Sequence, residues 1–249
     1  DELLADTQAG HDIRATVFVE CRSMYRAAAQ PAFRCVGETE FVNGVAAMAA
    51  SGAYGPMQAC AGIVGHADLR LGAEVGAVLD AHIAAGGGRF RGIRQSAAFD
   101  ADASVLGPLS SRDMPAGLLA NADFRAGFAE LAPRDLSFDA WVLEPQLSEV
   151  VELARAFPQT TIVLDHVGSP VGIGAYTGQR AARFNGWREQ IAALARCENV
   201  MVKLGGLGMP FPGFAWSYAN RADDYVALAE TWAPYLRTCI EAFGVARCM

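Results

Sequence analysis

Short apolar runs alternate with longer amphipathic segments along most of the chain. The apolar runs have the length and β-branched content of buried strands and occupy residues 13–20, 59–65, 90–94, 136–142, 160–164 and 200–204. The segments between them carry apolar residues at helical spacing, at residues 38–50, 74–85, 121–131, 145–157, 181–196 and 223–243. A chain that alternates in this way predicts a parallel sheet covered by helices.

The number of predicted strands favours one α/β architecture. Cys248 and Met249 begin a seventh apolar run, and residues 1–4 have the pattern of a helix already under way. Seven strands in 249 residues fit a TIM (β/α)8 barrel that is truncated at both ends in this sequence. We therefore expect a single, partial barrel domain over residues 1–249, with a doubly wound open sheet as the alternative.

The composition limits the kinds of partner that the protein can have. Hydrophobic residues make up 52% of the chain and charged residues 19%, with a formal net charge of −7. An acidic chain without a Lys/Arg cluster argues against nucleic acid and an anionic membrane surface, and no apolar run reaches the roughly 18 residues of a membrane helix. Six cysteines without regular spacing are typical of reduced thiols in a cytoplasmic protein. We expect a cytoplasmic protein that acts on a small molecule, and the sequence leaves open whether it forms a homo-oligomer.

Residues 160–170 carry the clearest functional signal. The apolar part of this stretch ends on Asp165 and His166, and Gly168 and Pro170 follow, which is the pattern of a strand that opens into a loop. In parallel α/β proteins, ligands bind at the loops that follow the carboxyl ends of strands. We therefore expect His166 in a functional site; the alternative is a strand-end histidine that hydrogen-bonds the backbone.

Several other polar residues lie near predicted strand ends. They are Glu20, Arg22, His66, Asp68, Arg91, Arg94, Asp139, Trp141 and Lys203. Guanidinium forks suit a carboxylate-bearing substrate, but Arg91 and Arg94 suit structural ion pairs equally well. His66 and Asp68 suit either a catalytic dyad or, more often, an ordinary loop hydrogen bond.

Lys203 and His82 also have structural interpretations. Lys203 lies between Val202 and Leu204, where a salt bridge within a barrel is favoured over a Schiff-base nucleophile. His82 falls within a predicted helix, where we expect a solvated or capping group. The sequence contains no HExxH motif, P-loop or nucleophile elbow, and its candidate residues do not supply a complete metal site.

Six segments together resemble one known family. They are TVFVECR (16–22), AGIVGHADL (61–69), FRGIRQ (90–95), PQL (145–147), IVLDHVG (162–168) and VKLGGLGM (202–209). In this order they resemble the amidohydrolase-related (amidohydrolase 2) TIM-barrel proteins, the predicted metal-dependent hydrolases that include sugar-lactone and pyrone-dicarboxylate lactonases. The resemblance implies hydrolysis of a lactone or cyclic amide of a small acidic or sugar-derived molecule, by base-assisted attack of water on the carbonyl.

The resemblance also implies roles for individual residues. His166 matches the histidine that binds metal in metal-dependent members and polarises the substrate carbonyl in lactonase members, so the implied cofactor is one divalent metal such as zinc, or none. The residues implied to bind substrate are Arg22, Arg91, Arg94, Trp141 and Gln146. Glu144 departs from the family pattern, which has a histidine there. The family's His-x-His pair is expected before Asp1, and its catalytic aspartate, the general base, just after Met249.

Other functions stay open at this point. One is a metal-dependent decarboxylase of the same superfamily, and another is an aldolase-like barrel that uses Lys203 as a Schiff base. A third is a barrel that binds a small acid without catalysis. A chain that lacks the paired histidines and the aspartate is expected to be inactive by itself.

Overall fold

A computed structural model describes residues 2–7, 9–107, 114–214 and 225–249. The chain divides into two compact units. Unit 1 comprises residues 1–95 and 123–137, and unit 2 comprises residues 96–122 and 138–249. The expected single domain over residues 1–249 stays a prediction.

Strands and helices alternate within the described residues, as the hydrophobic pattern predicts. The strands are β1 (Ala15–Val19), β2 (Gln58–Gly65), β3 (Phe90–Arg94), β4 (Ser137–Ala140), β5 (Ile162–Leu164) and β6 (Val200–Val202). The α-helices are α1 (Glu2–Thr7), α2 (Val36–Ala50), α3 (Val75–Ala85), α4 (Ala103–Leu106), α5 (Ala122–Phe128), α6 (Leu147–Ala156), α7 (Arg180–Ala195) and α8 (Tyr225–Phe243). All six predicted strand positions are confirmed, and most of the strands are slightly shorter than predicted. Of the two predicted loops, at 95–113 and 205–220, residues 108–113 and 215–220 lie outside the described residues.

The strands of unit 1 form a parallel sheet in the order in which they occur along the chain. β1 pairs with β2, with Phe18 opposite Ile63, and β2 pairs with β3, with Val64 opposite Gly92. Gly92 is required by close packing, because an added Cβ would lie 2.2 Å from Ser137 Oγ. A consecutive parallel order means that each helical crossover returns the chain to the neighbouring position in the sheet.

Unit 2 contains a second run of consecutive parallel strands. β4 pairs with β5, and β5 pairs with β6. Beyond β6, Val202 forms an isolated parallel bridge with Cys248, and Met249 N donates to Val202 O at 3.0 Å. The predicted start of a seventh strand at Cys248 is therefore observed as this bridge.

The core of unit 2 reaches directly to the loop after β5. Trp187, Ile191 and Leu194 on α7 are buried, as their helical spacing predicts. The Trp187 indole packs against Tyr235 of α8, with ring centroids 4.8 Å apart, and its Nε1 donates to Val167 O at 2.9 Å. A core side chain thus supports the loop that carries His166.

None of the helices in the described part of the chain combines the length and the apolarity that a membrane span requires.

Candidate active site

A charged cluster in unit 2 joins the ends of three parallel strands. Asp139 lies in β4, Asp165 follows β5 and Lys203 follows β6. The Lys203 ammonium forms ion pairs with both carboxylates, and its Nζ lies 2.8 Å from Asp165 Oδ1. Both aspartate side chains are at most 3% exposed. The two carboxylates therefore share one ammonium in surroundings largely shielded from water.

This pairing decides between the two interpretations of Lys203. Burial disfavours the charged form, but the carboxylates of Asp165 and Asp139 outweigh burial and raise the pKa of Lys203 above its ordinary value. A Schiff-base nucleophile must instead lose its proton. The salt-bridge interpretation is confirmed, and the geometry gives the Schiff-base alternative no support.

The loop after β5 holds His166 in an unusual backbone conformation. All four residues 166–169 have a positive φ, between 46° and 73°. Such angles are disfavoured for residues with a side chain, above all for the β-branched Val167, and cost about 1–3 kcal/mol each. Besides the bond from Trp187, Val167 N donates to Lys203 O at 3.0 Å and so fixes the turn to β6. Strain that is held in place in this way is typical of functional sites, which supports the predicted place of His166.

The imidazole of His166 is packed from two sides. An added Cβ at Gly206, where φ is 80°, would lie 2.4 Å from His166 Cβ and 2.6 Å from its Nδ1. Trp141 approaches the ring edge-on, with centroids 6.4 Å apart and an interplanar angle of 83°. The backbone of Gly206 and the Trp141 indole therefore limit where the imidazole can lie.

Trp141 belongs to an apolar wall beside His166. The buried members of this wall are Ala98, Val105, Leu106, Leu143, Val171 and Phe211, and the partly buried members are Trp141, Ile173, Tyr176 and Met209. Trp141 Nε1 is buried and has no hydrogen-bond partner among the described residues. A buried N–H costs free energy unless a ligand or water accepts from it, so Trp141 is suited to donate to a bound substrate.

Gln146 braces the loops around this wall. Its Oε1 accepts from Phe99 N at 2.9 Å and from Leu143 N at 3.2 Å, and its Nε2 donates to Ala97 O at 2.8 Å. Its side chain is buried. Most of the amide's hydrogen-bonding capacity is therefore used within the protein, and the predicted contact between Gln146 and substrate stays a prediction.

Glu144, the departure from the family pattern, forms a structural ion pair. Its carboxylate accepts from the Arg183 guanidinium, at 2.8 Å from Nη2 to Oε1 and 3.2 Å from Nε to Oε2. Burial raises the pKa of Glu144, although the charge of Arg183 opposes this. The substitution therefore supplies a carboxylate that anchors α7 to the loop before α6.

In unit 1, Arg94 is joined to the end of β1. Its Nε donates to Glu20 Oε1 at 3.0 Å and its Nη2 to Glu20 O at 2.7 Å. Both side chains are mostly buried, at 21% and 11% exposure. The structural ion pair that the sequence left open is thus present, and a direct contact between Arg94 and substrate stays a prediction.

Arg91 and Arg22 lie in different positions relative to the strand ends. Arg91 is exposed near the amino-terminal end of β3, and its Nη1 donates to Gly88 O at 2.7 Å and Phe90 O at 3.0 Å. Arg22 is exposed just after β1, with a φ of 62°. Of these two predicted substrate contacts, only Arg22 lies at the carboxyl edge of the unit 1 sheet.

His66 and Asp68 do not pair with each other as the sequence suggested. His66 Nδ1 lies 3.0 Å from Arg94 O. Asp68 instead accepts from Arg70 Nε at 2.8 Å and from Gln95 Nε2 at 2.9 Å. The catalytic dyad and the simple loop hydrogen bond between these two residues are therefore both wrong.

Comparison with known protein families identifies the family of this chain. The amidohydrolase family model matches residues 3–249, nearly the whole chain. The chain belongs to the amidohydrolase family. The resemblance drawn from the six sequence segments is thereby confirmed.

Individual relatives of this chain include enzymes named as lactonases. The uncharacterized protein y4mH of Sinorhizobium fredii is 37% identical over 191 residues, which cover 76% of this chain and 54% of that protein. The L-fucono-1,5-lactonase of Burkholderia ambifaria is 30% identical over 113 residues, or 45% of this chain and 32% of that enzyme. The chain thus spans about half the length of y4mH and about a third of the length of this lactonase.

A solved structure of similar fold contains a metal. The crystal structure of an amidohydrolase from Burkholderia multivorans with bound zinc aligns with a TM-score of 0.59 at 28% identity, and the match covers 85% of this chain and 62% of that one. Across the described ranges of this chain, no three His, Cys, Asp or Glu side chains are grouped as metal ligands would be. These residues therefore do not fit a metal on their own, and metal coordination by His166 stays a prediction.

The predicted environment of His82 is wrong. It is fully buried rather than solvated or capping, and it stacks on Phe90 with centroids 4.9 Å apart. Burial lowers its pKa to about 4. The missed signal is the helical spacing of Val75, Val78, Leu79 and His82, all of which are buried on one side of α3.

Proposed function

We propose that this amidohydrolase hydrolyses the lactone, or cyclic amide, of a small acidic or sugar-derived molecule, with His166 as a catalytic residue. The observation that carries the proposal is the fixed position of His166, on a strained loop at the carboxyl end of β5 and against Gly206 and Trp141. Membership of the family and the L-fucono-1,5-lactonase relatives support the reaction class.

In the proposed reaction, a general base accepts a proton from water as the water oxygen bonds to the lactone carbonyl carbon, and negative charge develops on the carbonyl oxygen. The carbonyl then re-forms as the ring C–O bond breaks, and the leaving ring oxygen takes up the proton to give the hydroxy acid. An imidazole N–H or imidazolium of His166 stabilises this charge, and the indole N–H of Trp141 is placed to bind an acceptor oxygen of the substrate. Donors held beside an apolar wall stabilise an oxyanion more strongly than they would in water. Lys203 acts indirectly. Its ammonium pairs with Asp139 and Asp165, and its backbone carbonyl accepts from Val167 N and so supports the loop of His166.

The architecture proposed for the protein is a TIM (β/α)8 barrel. The consecutive parallel order within each unit supports a barrel over a doubly wound sheet, in which the strand order reverses at a switch point. In this architecture Arg22, exposed after β1, is a proposed contact for a substrate carboxylate or hydroxyl.

The first prediction is tested with a panel of lactones and the full-length protein. The panel contains L-fucono-1,5-lactone, D-glucono-1,5-lactone, 2-pyrone-4,6-dicarboxylate and unsubstituted δ-valerolactone, and proton release reports ring opening. We expect His166→Asn to lower kcat by about 10²–10³-fold while circular dichroism and thermal unfolding stay unchanged. His11→Asn, at an exposed histidine, is the matched control.

Unchanged turnover by His166→Asn would remove this residue from the catalytic machinery. A wild-type protein that opens no lactone of the panel would contradict the proposed reaction. Product analysis separates the alternative within the superfamily, because a decarboxylase releases carbon dioxide and a lactonase yields only the hydroxy acid.

A further inference from the structure

The ring of His66 has one nitrogen committed to the protein and one without a partner in the described part of the chain. Nδ1 lies 3.0 Å from the carbonyl oxygen of Arg94. Because a carbonyl oxygen can only accept, Nδ1 carries the proton of this hydrogen bond. In a neutral imidazole the other nitrogen, Nε2, is then an acceptor.

The direction of this acceptor is fixed by hydrogen bonds from two helices and from the neighbouring strand β3. His82 Nε2 donates to His66 O at 2.9 Å, and Thr39 Oγ1 donates to His82 Nδ1 at 2.8 Å. Arg94, whose carbonyl orients the imidazole, is itself tied to Glu20. The backbone and one ring nitrogen of His66 are thus held by a continuous hydrogen-bonded chain that joins α2, α3, β3 and the residues just after β1 and β2.

The His66 side chain is accessible from outside, unlike that of a core residue. Its neighbours Gly65 and Ala67 are buried, whereas the His66 side chain is partly exposed at the carboxyl end of β2. The Arg94 donors named above point to Glu20, and Glu20 Oε2 is buried without a partner among the described residues. This edge of unit 1 therefore offers hydrogen-bond acceptors in fixed positions.

We propose that His66 is a substrate-binding residue whose Nε2 accepts a hydrogen bond from a hydroxyl group of the substrate. The inference rests on the proposed lactone hydrolysis and narrows its substrate class. A lactone of a sugar acid has hydroxyl groups to donate, whereas a pyrone dicarboxylate has only acceptor oxygens at neutral pH. The acceptor at His66 thus favours the sugar-acid lactone.

The test compares two substitutions of His66 on two lactones of the panel. His66→Asn keeps an N–H near the position of Nδ1 and removes the acceptor, and His66→Gln places an amide oxygen near the position of Nε2. The sugar lactone used is whichever of L-fucono-1,5-lactone and D-glucono-1,5-lactone the wild type hydrolyses with the higher kcat/KM. On this lactone, we expect His66→Asn to lower kcat/KM by about 10- to 100-fold, mainly by raising KM. We expect δ-valerolactone, which has no hydroxyl, to change by less than about twofold, and His66→Gln to recover part of the loss.

The outcomes separate this inference from the proposed function. An equal loss on both lactones would indicate a structural role, and no loss on either would remove His66 from the site; both results overturn the inference while lactone hydrolysis stands. A wild-type protein that opens δ-valerolactone but neither sugar lactone would also overturn the inference and leave lactone hydrolysis standing. Absence of turnover on every lactone overturns the proposed function and this inference with it.

Discussion

At the scale of single residues, the position of His166 depends on a residue that has no side chain. Gly206 has a φ of 80°, and an added Cβ would lie 2.4 Å from His166 Cβ. Neither the strained backbone nor the close contact tolerates a methyl group, so the loop or the imidazole must move. A displacement of about 1 Å at a catalytic group can lower the rate by about 10²-fold.

The prediction for Gly206→Ala is therefore a fall in kcat on the preferred lactone of at least about 10-fold, with the chain still folded. Steady-state kinetics beside near-UV circular dichroism measure both quantities. Gly205→Ala is the matched control, because an added Cβ at that neighbouring position meets no atom within 4 Å. Equal activity of the two variants would show that the contact with Gly206 does not position His166.

Residue types near strand ends were predictable from the sequence, but their pairings were not. His166 follows an apolar run directly, and that local signal located it. The contact of His166 with Gly206 and the bond of His66 to Arg94 join residues from different strands, which no local pattern reveals. Arg91 is a different case, since its separation of three residues from Arg94 already places the two side chains on opposite faces of a strand.

At the scale of elements, α7 stabilises the loop after β5 through one buried hydrogen bond. Trp187 is 1% exposed, and its Nε1 donates to Val167 O. Trp187→Phe keeps an aromatic ring in the core but leaves the Val167 carbonyl without this donor. We expect the free energy of unfolding to fall by about 1–3 kcal/mol, and kcat to fall as the loop of His166 loosens.

Urea unfolding and kinetics of Trp187→Phe measure these two effects. The control is Tyr235→Phe, since Tyr235 packs against the same indole and its hydroxyl has no hydrogen-bond partner among the described residues. A stability loss no larger than that of the control would show that the hydrogen bond to Val167 contributes little.

The predicted elements were mostly correct because each has its own hydrophobic period. The helix predicted at 121–131 ends earlier, at Phe128, because residues 129–131 turn towards a short 3₁₀ segment at Ala132–Arg134. The strand predicted from Thr160 begins only at Ile162. These ends are set by hydrogen bonds to other segments, such as the bond from Ile162 N to Asn199 O, and not by local composition.

At the scale of the whole molecule, the alternation of strands and helices identified the parallel α/β class, and the family comparison confirmed the resemblance. The division into two compact units was not predicted, since it depends on contacts between distant parts of the sequence. The buried hydrogen-bonded chain of unit 1 was not predicted either. Its member His82 lies within a predicted helix, and a solvated or capping group is the ordinary expectation for a histidine there.

That burial of His82 makes the stability of the folded chain depend on pH. Burial lowers its pKa from 6.5 to about 4, so between these values the unfolded chain binds a proton that the folded chain does not. The free energy of unfolding should therefore be undiminished above pH 6.5, fall as the pH drops towards 4, and lose about 3 kcal/mol at most through this group.

Urea unfolding of the wild type at a series of pH values from 7.5 to 4.5 measures this dependence of the free energy of unfolding on pH. His82→Gln, whose amide nitrogen can still donate to His66 O, is the control: every other ionisable group is the same in both proteins, so a constant stability difference across this range would rule out His82 as the source.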